Sequence, residues 1–228
     1  MKKNVMMRIA SFLLVAVLIS TSAISGTYAK YVTEATGSDS ARVAKWGVEI
    51  DPKGDLFLTD YAKTDNTFTE ADNTVVSVDT WKVVAPGTSH GLTEIQLSGK
   101  PEVATRLTYD ATVALNGWVV DGQEYCPIYF TIEGKTYGTD DSGLGFDVTY
   151  TTIAELISGV ETTIENLSRD FVANTDFATA GVNTPTVTWT WAFETGHDVQ
   201  DTALGDAAAA GTPAGITVTI KTTVTQID

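Results

Sequence analysis

Short runs of alternating apolar and polar residues, separated by glycine-containing turns, recur through most of this 228-residue chain. Between Val187 and Phe193, large apolar side chains alternate strictly with Thr and Ala. This period of two places one face of a β-strand in a core and the other in solvent. Turns such as Asn116-Gly117 supply the positive φ that a tight hairpin needs. The pattern predicts a mainly β fold, specifically a single antiparallel β-sandwich or jelly-roll domain.

One segment carries a helical period instead. Its apolar residues follow the spacing of one helix face: Ile153, Leu156, Ile157, Val160, Ile164 and Leu167. Thr152 with Glu155 three positions later forms a capping-box start. Gly159 weakens such a helix by about 1 kcal/mol relative to alanine without excluding it. The spacing predicts one amphipathic helix over about 152–169, packed on an end or edge of the sheet.

The N-terminus has the order of a secretory signal. Three basic residues lead into an apolar run from Ile9 to Ile19, and small residues then reach Thr27 and Ala29. The run is shorter than the ~20 apolar residues of a membrane helix, although an uncleaved anchor is the alternative. We predict cleavage between Ala29 and Lys30. Residues 1–29 are then a signal peptide, and 30–228 a secreted β domain.

The charge of the exported part limits its partners. Cleavage removes Lys2, Lys3 and Arg8, which leaves 11 of 14 basic residues and all 29 acidic ones, so the net charge falls from −15 to −18. A surface this acidic repels nucleic acid phosphates and anionic membranes. We therefore expect no nucleic acid partner, no membrane association after cleavage, and an extracellular or cell-surface location.

Residues suited to catalysis or metal binding are scarce. The single cysteine, Cys126, lies in an apolar stretch, and the two histidines, His90 and His197, lie in turn-like segments 107 positions apart. Neither a zinc-protease helix nor a nucleophile elbow is present. The acidic pair Asp140-Asp141 lacks the spaced ligands of a calcium loop. We predict no catalytic residue, no metal site and no cofactor, and hence no enzyme.

Several segments resemble exported proteins that the SipW-type signal peptidase of Gram-positive bacteria processes, namely the TasA and camelysin-like family. The resemblance covers most of the chain, and its signal region is the most specific part. The similar segments are Gly26–Tyr31, Ala41–Trp46, Ala85–Ser89, Gly99–Ala104, Trp189–Glu194 and Asp201–Gly205.

The resemblance implies a jelly-roll subunit of an extracellular fibre in a biofilm matrix. Its partners would be other copies of itself or related matrix proteins, and a signal peptidase during export. In such fibres the mature N-terminus adds as a strand to the neighbouring subunit. Here that donor strand would run from Lys30 to about Ser38, and its assembly residues would be Lys30, Tyr31, Val32, Thr33, Glu34 and Ala35. The terminal strand Ile216–Ile227 contains few charged residues. Because exposed sheet edges need a partner or protection, such a strand could accept another one.

Two other functions remain open from the sequence. A secreted binding module for carbohydrate or cell wall could use Trp46, Trp81 or Trp118 as a stacking platform, although core placement explains these residues equally well. A camelysin-like metalloprotease would need histidine or carboxylate zinc ligands. With only His90 and His197 available, the protease is the weaker alternative.

Overall fold

The chain divides into two compact units, Met1–Arg42 and Val43–Asp228. The computed structural model describes residues 3–25, 40–53, 55–62, 73–92, 94–139, 144–178, 186–193 and 195–227. The first unit contains helix α1 (Lys3–Ser25). Across the described ranges, no helix is both long enough and apolar enough to cross a membrane. The predicted cleavage boundary, with Thr27, Ala29 and Lys30, lies outside the described residues.

The second unit is mainly β, as the alternating pattern predicts. Its strands are β1 (Glu49–Lys53), β2 (Asp60–Ala62), β3 (Asn73–Val76), β4 (Ser89–Leu92), β5 (Glu94–Ser98), β6 (Thr105–Asn116), β7 (Val119–Val120), β8 (Gln123–Glu124), β9 (Ile128–Ile132), β10 (Lys135–Thr139), β11 (Val148–Tyr150), β12 (Arg169–Phe171), β13 (Val187–Trp191) and β14 (Gly215–Gln226). Its helices are α2 (Ile153–Glu165) and α3 (Asp198–Ala209).

Two larger sheets carry most of these strands. One has the order β11-β10-β9-β13-β4 and the other the order β12-β6-β14, while β1–β5, β2–β3 and β7–β8 form two-stranded ladders. All the described pairs are antiparallel except β10–β11, which is parallel and departs from the predicted antiparallel arrangement. Asp147, just before β11, lies beside the start of β10, and its Oδ2 accepts from the Thr136 N–H (2.8 Å) and hydroxyl (2.9 Å). These bonds stabilise the parallel register, in which Tyr137 lies opposite Val148.

The core consists mainly of the inward-facing side chains of β6, β9 and β13. Odd-numbered side chains of β6 are buried along its whole length, and β9 and β13 alternate in the same way. The predicted strand at Val187 is confirmed, but it ends at Trp191, and Phe193 beyond it is 69% exposed. Trp189 is fully buried, and its Nε1–H donates to the Leu56 carbonyl at 2.6 Å.

The predicted amphipathic helix is confirmed as α2. The hydroxyl of Thr152 accepts from the Glu155 N–H at 3.2 Å, and the apolar face packs on β6. Gly159 has a packing reason, because a Cβ there would overlap the Tyr150 ring. α2 ends at Glu165, and the chain enters β12 at Arg169, within the predicted range.

The prediction of a single helix in this domain is wrong, because α3 is a second helix of the same unit. Its alanines have the highest intrinsic helix propensity, which outweighs Gly205. Leu204 and Asp201 face the interior and anchor the helix.

A close backbone approach joins β1 to β5. Gly99, just after β5, has φ +105°, and a Cβ at this position would collide with the carbonyl oxygen of Gly47. This position therefore requires glycine for space as well as for conformation.

Candidate assembly edge

The β12-β6-β14 sheet has one border that the chain itself closes. On the side of β6 away from β14, β12 pairs with residues 105–107. Farther along, the Val113 N–H donates to Glu161 Oε1 on α2 at 2.8 Å, and the Tyr109 N–H donates to Ser168 Oγ at 3.3 Å. Side chains thus supply two of the acceptors that a further strand would otherwise offer, which hinders strand addition on this side.

The opposite border is β14, and there the backbone is open. The Thr223 carbonyl accepts from the Thr108 hydroxyl, so residue 223 faces β6. Backbone groups alternate sides along a strand, and so the odd-numbered residues of β14 bond to β6. The even-numbered residues, Ile216 to Gln226, direct their N–H and C=O groups away from it. Within the described part of the chain, β14 pairs with no strand other than β6.

Burial across this pair falls off toward the open edge. The even-numbered residues of β14 lie on the core face beside buried residues of β6, and the register runs unbroken from Gly215 to Gln226. Val218 lies opposite Val113 and Ile220 opposite Ala111. The β6 side chains are buried, whereas both β14 side chains are only half-buried. An added strand would cover this remaining apolar surface.

A groove accompanies the first part of the open edge, with a volume of about 470 Å³. Its walls include Phe57, Val83, Val84, Ile216 and Val218. Most of these side chains are apolar and half-buried. The groove therefore offers apolar contact beside a row of backbone groups that pair with no strand of the described part of the chain, which is the arrangement that recognition by strand addition requires.

The residues predicted to form the donor strand and the cleavage site all lie outside the described residues. These are Thr27, Ala29, Lys30, Tyr31, Val32, Thr33, Glu34 and Ala35. The structure therefore describes a candidate acceptor and not the donor. The sequence signal for the acceptor was the scarcity of charge in the terminal strand. The groove was not foreseen, because Phe57 and Val83 are remote from β14 in sequence.

Cys126 and its neighbour Tyr125 lie in the core. Cys126 is buried. Tyr125 donates its hydroxyl proton to Asp201 Oδ1 at 2.7 Å, and burial raises the pKa of Tyr125 well above its usual range. This bond ties α3 to the segment after β8.

Of the two histidines, His90 does not lie in a turn as the sequence suggested, whereas His197 follows a bend at Thr195-Gly196. His90 belongs to β4, and His197 directly precedes α3, with its ring 5.6 Å from that of Tyr125. Among the described residues, no group of three or more His, Cys, Asp and Glu side chains is placed to hold a metal ion.

The three tryptophans considered for a stacking platform have different environments. Trp118 is 1% exposed, and its Nε1–H donates to the Gly215 carbonyl at 2.9 Å, so it belongs to the core. Trp46 is 39% exposed and Trp81 is 75% exposed. Only the last two remain accessible to a ligand.

Comparison of the chain with protein-family models, with curated proteins and with solved structures finds no match.

Proposed function

We propose that this protein is an exported structural subunit that assembles into an extracellular fibre, each subunit donating its mature N-terminal strand to the next. The observation that carries the proposal is the open edge of β14, twelve residues long, with a half-buried apolar face and a groove beside it. In this proposal the sheets form a jelly-roll sandwich that lacks one strand. Residues Lys30 to about Ser38 of another copy fill that position.

Backbone hydrogen bonding suits a polymer of acidic subunits. A strand added to β14 meets N–H and C=O groups, which carry no net charge, so affinity does not depend on matching a strongly charged surface. Each added strand also covers the half-buried side chains of β14, and burial of apolar surface stabilises by roughly 25 cal/mol per Å². Repulsion between the acidic subunits opposes assembly and weakens as salt is added.

Removal of the signal peptide would create the donor. Cleavage after Ala29 leaves Lys30 as a new N-terminus, free to enter a neighbouring groove. A signal peptidase is then the export partner, and other copies or related matrix proteins are the assembly partners. The proposed location is the extracellular matrix or cell surface, and the proposed role includes no catalysis and no cofactor.

The first test is electron microscopy of the purified mature chain beginning at Lys30, with light scattering on the same sample. The proposal expects regular filaments. Deletion of residues 30–38 should leave a folded domain by circular dichroism that no longer assembles. A stable monomer under all conditions of salt and pH, or fibres from the truncated chain, would contradict the proposal.

A matched pair of proline variants tests the acceptor. Thr222 directs its N–H to the open edge, so Thr222→Pro should leave the β6 ladder intact but prevent strand addition. Thr223 faces β6, so Thr223→Pro should remove a ladder bond and lower the stability of the domain itself. Undiminished assembly of a folded Thr222→Pro variant would show that β14 is not the acceptor.

A second candidate, a secreted carbohydrate- or wall-binding module, rests on the exposure of Trp81 and Trp46. Aromatic side chains of this kind provide large contact area at low entropic cost. A carbohydrate screen of the wild type against a Trp81→Ala variant distinguishes the two functions, because fibre assembly through β14 does not require Trp81.

A further inference from the structure

Strand β14 carries a single charge along its twelve residues, that of Lys221. Lys221 is exposed and odd-numbered, so it projects from the face opposite the half-buried residues Val218 and Ile220. Its partner on β6 is Asp110, and on its other side lies the open edge. A strand added there would meet one positive charge on β14 itself, while Lys82, which lines the adjoining groove, is already paired with Asp55 at 2.6 Å.

The proposed donor segment from Lys30 to Ser38 has a matching pattern. Glu34 is its only acidic residue, and Tyr31 is its only aromatic residue. The two are three positions apart, and in an extended strand they project from opposite faces. On β14, Val218 beside the groove and Lys221 on the outer face are also three positions apart and on opposite faces.

We infer that the donor strand of a second copy adds parallel to β14, with Glu34 beside Lys221 and Tyr31 beside Val218. This inference rests on the proposed function and names the register of the same site. In this register the aromatic ring enters the apolar groove, while the carboxylate meets the only charge on the strand. The antiparallel register that pairs Glu34 with Lys221 places Tyr31 beside Val224, away from the groove, and leaves Gly37 beside Val218.

A lysine on an edge strand also has a protective role, because its charge discourages pairing with other chains. The two roles of Lys221 make opposite predictions. As a protective residue it slows assembly, so Lys221→Thr should accelerate fibre growth. As the partner of Glu34 it favours assembly, so the same substitution should slow growth.

The test of the charge pair is a charge-exchange cycle in the mature chain beginning at Lys30. Replacing an opposite-charge cross-strand pair by a like-charge pair makes the interaction free energy less favourable, enough to raise the critical concentration for fibres roughly fivefold. We expect that rise for Glu34→Lys and for Lys221→Glu, and recovery toward the wild type in the double variant. The differences should shrink in 1 M salt, where the Debye length is about 3 Å. Independent effects of the two substitutions, or faster growth of Lys221→Thr, would overturn the register.

Disulfide formation within fibres tests the direction. Directly opposed Cα atoms in a sheet lie about 4.8 Å apart, which a disulfide can bridge. Tyr31→Cys combined with Val218→Cys should give a ladder of covalent oligomers on oxidation, whereas Tyr31→Cys with Val224→Cys should not. Cys126 is buried and does not compete. The reverse result would establish the antiparallel register. Absence of fibres from the wild type would instead refute the proposed function, so the two failures are distinguishable.

Discussion

Glu161 on α2 is the residue that distinguishes the closed border of the β12-β6-β14 sheet from the open one. Its carboxylate accepts the N–H of Val113, a buried residue, at 2.8 Å. A hydrogen bond to a charged acceptor contributes about 1.5–3 kcal/mol, and an unsatisfied buried N–H costs a similar amount. Glu161→Ala should therefore lower the free energy of unfolding by about 2 kcal/mol. For a domain of this size that corresponds to a fall in Tm of about 4–8 °C.

The control and the conservative variant sharpen this prediction. Glu165→Ala removes an exposed carboxylate from the same helix and should change stability by less than about 0.5 kcal/mol. Glu161→Gln keeps a neutral acceptor and should fall between the two. Urea unfolding gives the free energies, and hydrogen exchange of the Val113 amide reports the local bond. Equal stability of Glu161→Ala and Glu165→Ala, with unchanged exchange at Val113, would refute the idea that α2 seals this border.

Three further predictions concern the folded domain. Tyr125→Phe should destabilise it by about 1–3 kcal/mol, because the buried carboxylate of Asp201 loses its hydroxyl donor; an unchanged denaturation midpoint would contradict this. Gly99→Ala should cost more than about 1 kcal/mol, through positive φ and backbone overlap, and a Tm equal to that of the wild type would contradict it. Hydrogen bonds from the N–H and hydroxyl of Thr136 hold the pKa of Asp147 below its ordinary value of 3.8. These hydrogen bonds stabilise the folded domain fully above pH 3.8, and that stabilisation is lost as the pH falls through the lower pKa of folded Asp147. The difference in unfolding free energy between the wild type and Asp147→Asn should therefore shrink in acid. A constant difference down to about pH 2 would contradict this prediction.

The sequence pattern predicted those strands and helices whose apolar residues repeat with the period of the element itself. The alternation at Val187 and the helical spacing after Thr152 both report which face is buried, and both elements are present. The helix α3 was missed because its apolar face is narrow, with Leu204 as its main buried apolar residue. The parallel β10–β11 pair was missed because it is a tertiary contact, in which Asp147 accepts from the N–H of Thr136, eleven residues earlier. A periodicity argument contains no information about such a contact.

The candidate acceptor shows the same division between local and long-range information. The composition of β14 indicated a strand with little charge, but its edge position follows from pairing with β6, about a hundred residues away in sequence. The groove depends on Phe57 and Val83, which only the tertiary fold brings to β14. The donor segment, by contrast, is predicted through resemblance and lies outside the described residues.

The contrast between the two borders of the β12-β6-β14 sheet argues for a role of the open one. Edge strands are commonly protected by shortness, proline, bulges or several charges, because an unprotected edge pairs with other chains. β14 is twelve residues long, has no proline, keeps an unbroken register with β6, and carries only Lys221 as a charge. On the other border, Glu161 accepts from the Val113 N–H and Ser168 from the Tyr109 N–H, so side chains occupy two backbone donors of β6. In the described part of the chain, one border is thus partly closed by side chains while β14 pairs with no strand other than β6, and this contrast supports the proposal that a strand arrives from a neighbour. The Thr222→Pro and Glu161→Ala variants test this proposal, since the first should affect assembly alone and the second stability.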